Sequence, residues 1–147
     1  MYKKKSMLTG NTPVDLNRIN RNTLMEQLGI EYLEVKEGYV KARMPVDHRT
    51  LQPMGILHGG ASLALAETVG GLGSALLVDQ EKYEIRGSSM TANHVGAVTS
   101  GYVYAEARIL HHGKLTHVWD IEINSDGDRK ISLARLTVMI IPKQKQE

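Results

Sequence analysis

Much of the chain alternates between polar and apolar residues in the two-residue rhythm of β-strands. Residues 30–46 show this alternation with a break at Glu37-Gly38, which predicts two strands joined by a tight turn. Four more alternating segments follow, and Asp126-Gly127 predicts a hairpin between the last two. These segments are residues 85–95, 101–110, 116–124 and 130–141. Long strands connected in series predict an antiparallel sheet.

Two segments instead have helical character. Apolar residues in 16–28 are spaced as in one short helix, with Gly29 as its stop signal. Residues 60–78 are rich in Ala and Leu and apolar on nearly every side, which predicts a buried helix. A membrane span is the rival interpretation, but Glu67 and three nearby glycines disfavour it. One helix and a series of strands predict an α+β fold whose sheet curls around that helix.

Composition indicates one soluble globular domain: of 147 residues, 41% are hydrophobic and 23% charged. The absence of cysteine excludes disulfides and thiolate chemistry and suits the cytoplasm. Five of the 18 basic residues lie in the two tails, which leaves residues 6–142 slightly acidic. This is not the pattern of a nucleic-acid-binding face. We therefore expect a flexible tail at 1–13, a domain at 14–142 and a basic tail at 143–147, without nucleic acid or membrane as partner.

Glu67 is the one charged residue between Arg49 and Asp79. Its neighbours one helical turn away are apolar or glycine, so the pattern predicts a buried carboxylate without a cation in its own helix. Burial would raise the pKa of Glu67 and suit it to general-base catalysis. The alternative is that Glu67 lies on a narrow solvated stripe with Ser74, or pairs with an arginine from elsewhere in the fold.

The segment that leads into the long helix ends in His58-Gly59-Gly60. The first amides of a helix are unpaired and carry partial positive charge, so they can stabilise an oxyanion. A glycine-rich turn before a capped helix is the alternative. Glu67 lies roughly 10 Å along the axis from these amides. One helix cannot bring both groups to the same carbonyl, so we expect the site to lie at a homodimer interface.

Other histidines are weaker candidates. His94, beside Asn93, could line a pocket. His111, His112 and His117 could suggest a metal, but adjacent residues of a strand point to opposite faces. We therefore predict neither a metal site nor a cofactor.

Five short motifs carry a family resemblance. They are Met44-Pro45-Val46-Asp47, Gln52-Pro53-Met54-Gly55, His58-Gly59-Gly60-Ala61, Ala66-Glu67 and Ala92-Asn93-His94. Together they resemble the hotdog-fold acyl-CoA thioesterases, closest to the branch of PaaI-like and 1,4-dihydroxy-2-naphthoyl-CoA hydrolases. The resemblance covers residues 28–142 and implies a hotdog fold, a curved antiparallel sheet around one central helix.

The resemblance also implies roles. Glu67 is expected to be the general base or nucleophile, and the Gly59 N–H the oxyanion donor. Gln52 and His58 are expected to flank the thioester, and His94 to line the acyl pocket. The remaining residues expected to bind substrate are Asn93, Gly60, Thr68, Gly71, His111, Gly113 and Lys114. Relatives often carry a small hydroxyl residue where this chain has Gly71, and the 111–114 segment is expected near the coenzyme A nucleotide, with Lys114 at a phosphate.

These roles imply hydrolysis of an acyl-CoA to a free acid and coenzyme A, which is part of the substrate and not a cofactor. The acyl group is open: aromatic, short-chain and medium-chain groups all remain. The resemblance further implies a dimer of dimers. Two alternatives stay open from the sequence, a non-catalytic acyl-CoA-binding protein and an acyl-thioester hydratase or dehydratase.

Overall fold

The computed structural model describes residues 12–144. Most of the predicted N-terminal tail, residues 1–11, and residues 145–147 of the C-terminal tail lie outside this range. In chain order the elements are α1 (Pro13–Arg18), α2 (Leu24–Leu28), β1 (Glu31–Lys36), β2 (Tyr39–Pro45), α3 (Gly59–Leu77), β3 (Tyr83–His94), β4 (Tyr102–His112), β5 (Thr116–Ser125) and β6 (Lys130–Pro142).

The six strands form one antiparallel sheet in the order β1-β2-β4-β5-β6-β3. The long helix α3 contacts all strands from β2 to β6, so the sheet wraps around it. This confirms the predicted architecture. The four C-terminal strands begin and end within two residues of their predicted bounds. In β4, β5 and β6 buried side chains alternate with more exposed ones, which is the physical source of the two-residue pattern.

The region before the sheet differs from the prediction of a single helix over residues 16–28. It contains two short helices, α1 and α2, separated by a turn in which Asn22 has a φ of 59°. The buried Asn20 side chain donates to the Ile30 carbonyl oxygen at 3.1 Å, which holds this turn against the start of the sheet. The chain therefore does not continue as one helix here, and a hydrogen bond to a residue ten positions away holds the turn instead. Gly29 ends α2 with a φ of 70°, as predicted.

Glycines on one face of α3 let the helix approach β5 closely. A Cβ at Gly73 would lie 2.4 Å from the Trp119 ring, and one at Gly70 would lie 2.6 Å from the Leu136 side chain. Real Cβ contacts are never this short, so larger residues would force the helix away from the sheet. Gly71 faces the other way, and a Cβ there would meet nothing within 4 Å among residues 12–144.

By length and composition alone, α3 is apolar enough to cross a membrane. Half of the 18-residue window that passes this test is buried inside the fold. The curved sheet covers one side of the helix, as is usual for the core helix of a soluble protein. The prediction that α3 is buried holds for the face toward the sheet, whereas Leu63, Ala64 and Gly71 are only half-buried.

Ser74, His117 and Trp119 form a hydrogen-bonded cluster between α3 and β5. Trp119 Nε1 donates to Ser74 Oγ at 2.8 Å, and His117 Nδ1 lies 2.9 Å from the same oxygen. All three residues are at most 1% exposed. Burial, with smaller effects from His112 and His111 on β4, lowers the pKa of His117 below its ordinary value of 6.5.

This cluster predicts a loss of stability in weak acid. Below about pH 6.5 the unfolded chain takes up a proton at His117 that the folded chain resists. The free energy of unfolding should therefore fall as the pH drops from about 7, by at most about 1.4 kcal/mol per pH unit for this one group. Denaturant unfolding between pH 7.5 and 5.5 measures the slope, and H117Q should flatten it. An equal slope in the variant would contradict the assignment to His117.

Candidate active site

The loop before α3 is folded back on itself so that both of its ends reach the helix entrance. Gln52 N–H donates to the Ile56 carbonyl at 2.9 Å, and Gly55 completes the turn with a φ of 77°. His58 N–H donates to the Thr50 carbonyl at 2.8 Å. A glycine is favoured at position 55 because other residues rarely adopt a positive φ. The loop thereby brings Gln52 next to the first turn of the helix.

The first two amides of α3 differ in their hydrogen bonding. His58 caps the helix: its Nδ1 accepts from Gly60 N–H at 2.7 Å. The Gly59 N–H has no acceptor in the described part of the chain. It lies at the positive end of a 19-residue helix. Of the two predicted glycines, Gly59 is therefore the one with an amide free to bind an anionic oxygen, while the Gly60 amide is already occupied.

A pocket of about 190 Å³ opens beside this free amide. It is lined by Gln52, Ile56, Leu57, Gly59, Ser62, His94, Gly96, Ile131 and Ser132. The His94 ring lies against Gly59, since a Cβ at position 59 would be 2.7 Å from His94 Nε2. His94 Nδ1 lies 2.7 Å from Ser132 Oγ on the neighbouring strand β6. Gln52, Gly59, His94 and Ser132 are called the entrance cluster below.

Gln52 lines this pocket. Its Oε1 accepts a hydrogen bond from Met54 N–H within the same turn. The side-chain NH₂ group has no acceptor among the residues that the structure describes, so it can donate to a ligand. The predicted role of His58 beside the thioester is harder to reconcile with its position, because its Nδ1 is used as the helix cap and it is not among the pocket-lining residues.

Glu67 lies apart from the entrance cluster and is exposed in the single chain. The prediction that it is buried is therefore wrong for one protomer. So is the alternative of a stripe shared with Ser74, which is fully buried. Within residues 12–144 Glu67 forms no ion pair. Its carboxylate rests on Gly87 of β3, where a Cβ would lie 2.3 Å from Oε1.

The sheet register shows how far apart the two regions are. Ser132, in the entrance cluster, pairs with His94 of β3 and Ile123 of β5. Gly87, which Glu67 contacts, lies further along the same strands. It pairs with Val138 of β6, and Val138 pairs with His117 of β5. Glu67 comes eight positions after Gly59 in α3, about 12 Å along the axis. One protomer therefore holds the predicted site in two parts.

The other predicted residues fall in both regions or between them. Asn93 is exposed on β3. The Thr68 hydroxyl donates to the Ala64 carbonyl of its own helix at 2.7 Å, so its hydrogen is already committed. The residues His111, Gly113 and Lys114 lie at the β4–β5 turn, at the same end of the sheet as Glu67. Among these three, His111 and Lys114 are exposed.

Sequence reasoning missed Ser132, Gly87 and most of the pocket wall. Ser132 and Gly87 take part only through strand pairing and close approach, which no local motif indicates. For Gly87 a weak signal exists, because a glycine inside an alternating strand suggests a bulge or a close contact. The register of β3 against β6 does shift between Gly87 and Ser89.

Residues 54–132, more than half of the chain, match the family model of the thioesterase superfamily. The chain belongs to the thioesterase superfamily.

Several thioesterases are similar over nearly the whole domain. The solved structure of a variant of thioesterase PA1618 from Pseudomonas aeruginosa has a TM-score of 0.88 and 39% identity, and the match covers 93% of this chain and 99% of that one. A variant of SAV0944 from Staphylococcus aureus has a TM-score of 0.81 and 45% identity, covering 82% and 99%. Proofreading thioesterase EntH from Klebsiella pneumoniae is 39% identical over 126 residues, covering 86% and 91%.

These similarities confirm the hotdog thioesterase fold that the sequence motifs predicted. They also establish this superfamily member as a thioester hydrolase, which settles the choice between an enzyme and a non-catalytic binding protein in favour of the enzyme.

The contact between Glu67 and Gly87 predicts the effect of a single added methyl group. In G87A the new Cβ would collide with the carboxylate, and the flexible Glu67 side chain should move while the strand stays in place. A displacement of about 1 Å in a catalytic group can cost up to about 100-fold in rate. With Glu67 as the predicted catalytic carboxylate, we expect kcat for thioester hydrolysis to fall at least about tenfold. Steady-state kinetics and the melting temperature measure both effects.

G127A is the matched control, because a Cβ at Gly127 would meet no described residue within 4 Å and Gly127 has no positive φ. An unchanged kcat in G87A would mean that the Glu67 position seen in the structure has no bearing on turnover.

Proposed function

We propose that the enzyme hydrolyses an acyl-CoA to the free acid and coenzyme A. The observation that carries the proposal is the Gly59 N–H at the positive end of α3, which has no acceptor within residues 12–144 and lines a pocket whose polar side chains include Gln52 and His94. A thioester carbonyl that is attacked develops negative charge on its oxygen, and a fixed amide at a helix N-terminus stabilises that charge. The acyl group is aromatic, such as 1,4-dihydroxy-2-naphthoyl, benzoyl or phenylacetyl, or a short or medium chain.

In this proposal Gln52 and Gly59 hold the thioester while the acyl chain enters the pocket. Ile56, Leu57 and Ile131 supply its apolar wall. His111 and Lys114 would meet the phosphates of the coenzyme A nucleotide, with Asn93 and Gly71 along the acyl thioester itself.

Glu67 supplies the basic group. It takes a proton from water as the water oxygen bonds to the thioester carbon, and the carbon–sulfur bond then breaks. The proton passes to the thiolate, which leaves as coenzyme A, and the acid is released. Alternatively, the Glu67 carboxylate attacks the thioester carbon directly, which forms an acyl anhydride and releases the thiolate. Water then hydrolyses the anhydride, so the overall reaction is the same.

Two solved variants of SAV0944 support the choice of Glu67 and Gln52. One replaces a glutamate and the other a glutamine by alanine. The two positions are 15 residues apart in that protein, the same separation as between Gln52 and Glu67.

A second copy of the chain would bring the two parts of the site together. Strand β3 is an edge of the sheet, and most of its 12 residues are exposed. An antiparallel pairing of β3 with the β3 of a second copy, centred between Met90 and Thr91, would place Gly87 of each copy opposite His94 of the other. Glu67 of one protomer would then face the entrance cluster of its partner, giving two sites per homodimer. We further propose that two such dimers associate and that the enzyme works in the cytoplasm.

The proposal predicts turnover that depends on the Glu67 carboxylate. Release of free thiol from aromatic, short-chain and medium-chain acyl-CoA should be measured for wild type, E67Q and the exposed control E81Q. Loss of a general base costs on the order of 10²–10⁴-fold, so E67Q should lose that much kcat while E81Q retains it. Retention of most turnover in E67Q would remove Glu67 from the mechanism. Hydration of an enoyl-CoA, with no thiol released, would instead indicate a hydratase.

A shared site also predicts recovery of activity on mixing two inactive variants. E67A and Q52A are each expected to be inactive, but a mixed dimer contains one site with both Glu67 and Gln52 intact. After unfolding and refolding an equimolar mixture, random pairing should restore at most about a quarter of the wild-type activity. Each variant refolded alone is the control. If the mixture stays inactive although mixed dimers form, the site lies within one chain.

A further inference from the structure

The strongest unexplained feature of the pocket is the hydrogen bond between Ser132 and His94. Ser132 Oγ lies 2.7 Å from His94 Nδ1, and Ser132 is 1% exposed. The residue lies on β6 directly opposite His94 of β3 in the strand register. Alanine would fit the same backbone position, so packing alone does not require a hydroxyl there.

The direction of this hydrogen bond follows from the surroundings of the hydroxyl. In the described part of the chain His94 Nδ1 is the one hydrogen-bond partner of Ser132 Oγ. A buried hydroxyl that leaves its hydrogen unpaired loses about 1–3 kcal/mol. The Ser132 O–H therefore donates, and His94 Nδ1 must be the accepting nitrogen. A neutral imidazole that accepts at Nδ1 carries its proton at Nε2.

The Nε2 side of the ring points to the helix entrance. Nε2 is the His94 atom nearest to the position that a Cβ of Gly59 would occupy, at 2.7 Å. It has no hydrogen-bond partner within residues 12–144. In this tautomer a ring N–H donor thus lies beside the free Gly59 amide.

We propose that Ser132 is a positioning residue that holds His94 in its Nε2–H tautomer, so that His94 donates a second hydrogen bond, beside the Gly59 N–H, to the thioester carbonyl oxygen. This role extends the pocket-lining function expected for His94 and rests on the proposed acyl-CoA hydrolysis. Two donors in a fixed arrangement stabilise a developing oxyanion better than one that must reorient.

The first test needs no substitution of Ser132. Protein labelled with ¹⁵N in its histidine rings is examined by long-range ¹H–¹⁵N correlation, and the His94 signals are assigned by their loss in H94N. The expected wild-type pattern is the neutral ring with hydrogen on Nε2. A ring protonated on Nδ1 would overturn the proposal, whether or not the enzyme hydrolyses any acyl-CoA.

The second test compares S132A with S125A and S132T. We expect S132A to show a mixture of His94 tautomers and to lose about 10- to 100-fold in kcat, with little change in KM, because the ring remains in place but is no longer held in one orientation. S132T keeps a hydroxyl and should restore the Nε2–H form and most of the turnover. S125A, at the last residue of β5 and outside the pocket lining, should behave like wild type.

The outcomes separate the two proposals. If wild type releases no thiol, the proposed function fails, and the histidine spectra still decide the tautomer. If wild type is active and S132A matches S125A in kcat, His94 does not donate to the carbonyl as proposed. If S132A does not fold, S132T and the wild-type spectra decide the matter, since loss of turnover in S132T with an unchanged tautomer would also contradict the role.

Discussion

The close packing of α3 on Trp119 is the contact on which the rest of the structure depends. Gly70 and Gly73 leave room for the indole, and Ser74 accepts a hydrogen bond from its N–H. These contacts fix both the rotation of the helix about its axis and its position along that axis. The amides at its first turn and the carboxylate near its middle are therefore placed by the core and not by a loop. A site built on such an element is held more accurately than one on a mobile segment.

Most of the architecture could be predicted because each strand buries one face against α3, and burial of alternate residues leaves a two-residue period in the sequence. Gly29 and Gly38 could be identified as stops because both have positive φ. The break between α1 and α2 could not, since it depends on the hydrogen bond from Asn20 to Ile30. A local pattern contains no information on such a contact.

The candidate site was predictable to the extent that it is local in sequence. Gln52, His58 and Gly59 lie within eight residues, and Glu67 stood out by its charge in an apolar segment. The environment of Glu67 was predicted wrongly. Its apolar neighbours on α3 indicate a face that is covered by protein, but within one protomer that face of the helix is partly exposed. Ser132 and Gly87 depend on strand register, which side-chain patterns determine only indirectly.

The free amide of Gly59 belongs to the main chain, and so it is present whatever side chains surround it. The apolar walls of the pocket, by contrast, include Ile56 on the loop before α3 and Ile131 on β6. Exchanging such wall residues changes the size and shape of what fits without touching the donor. In the proposed mechanism acyl recognition is thus separate from carbonyl activation, and a new acyl preference can evolve through wall substitutions while the chemistry is inherited intact.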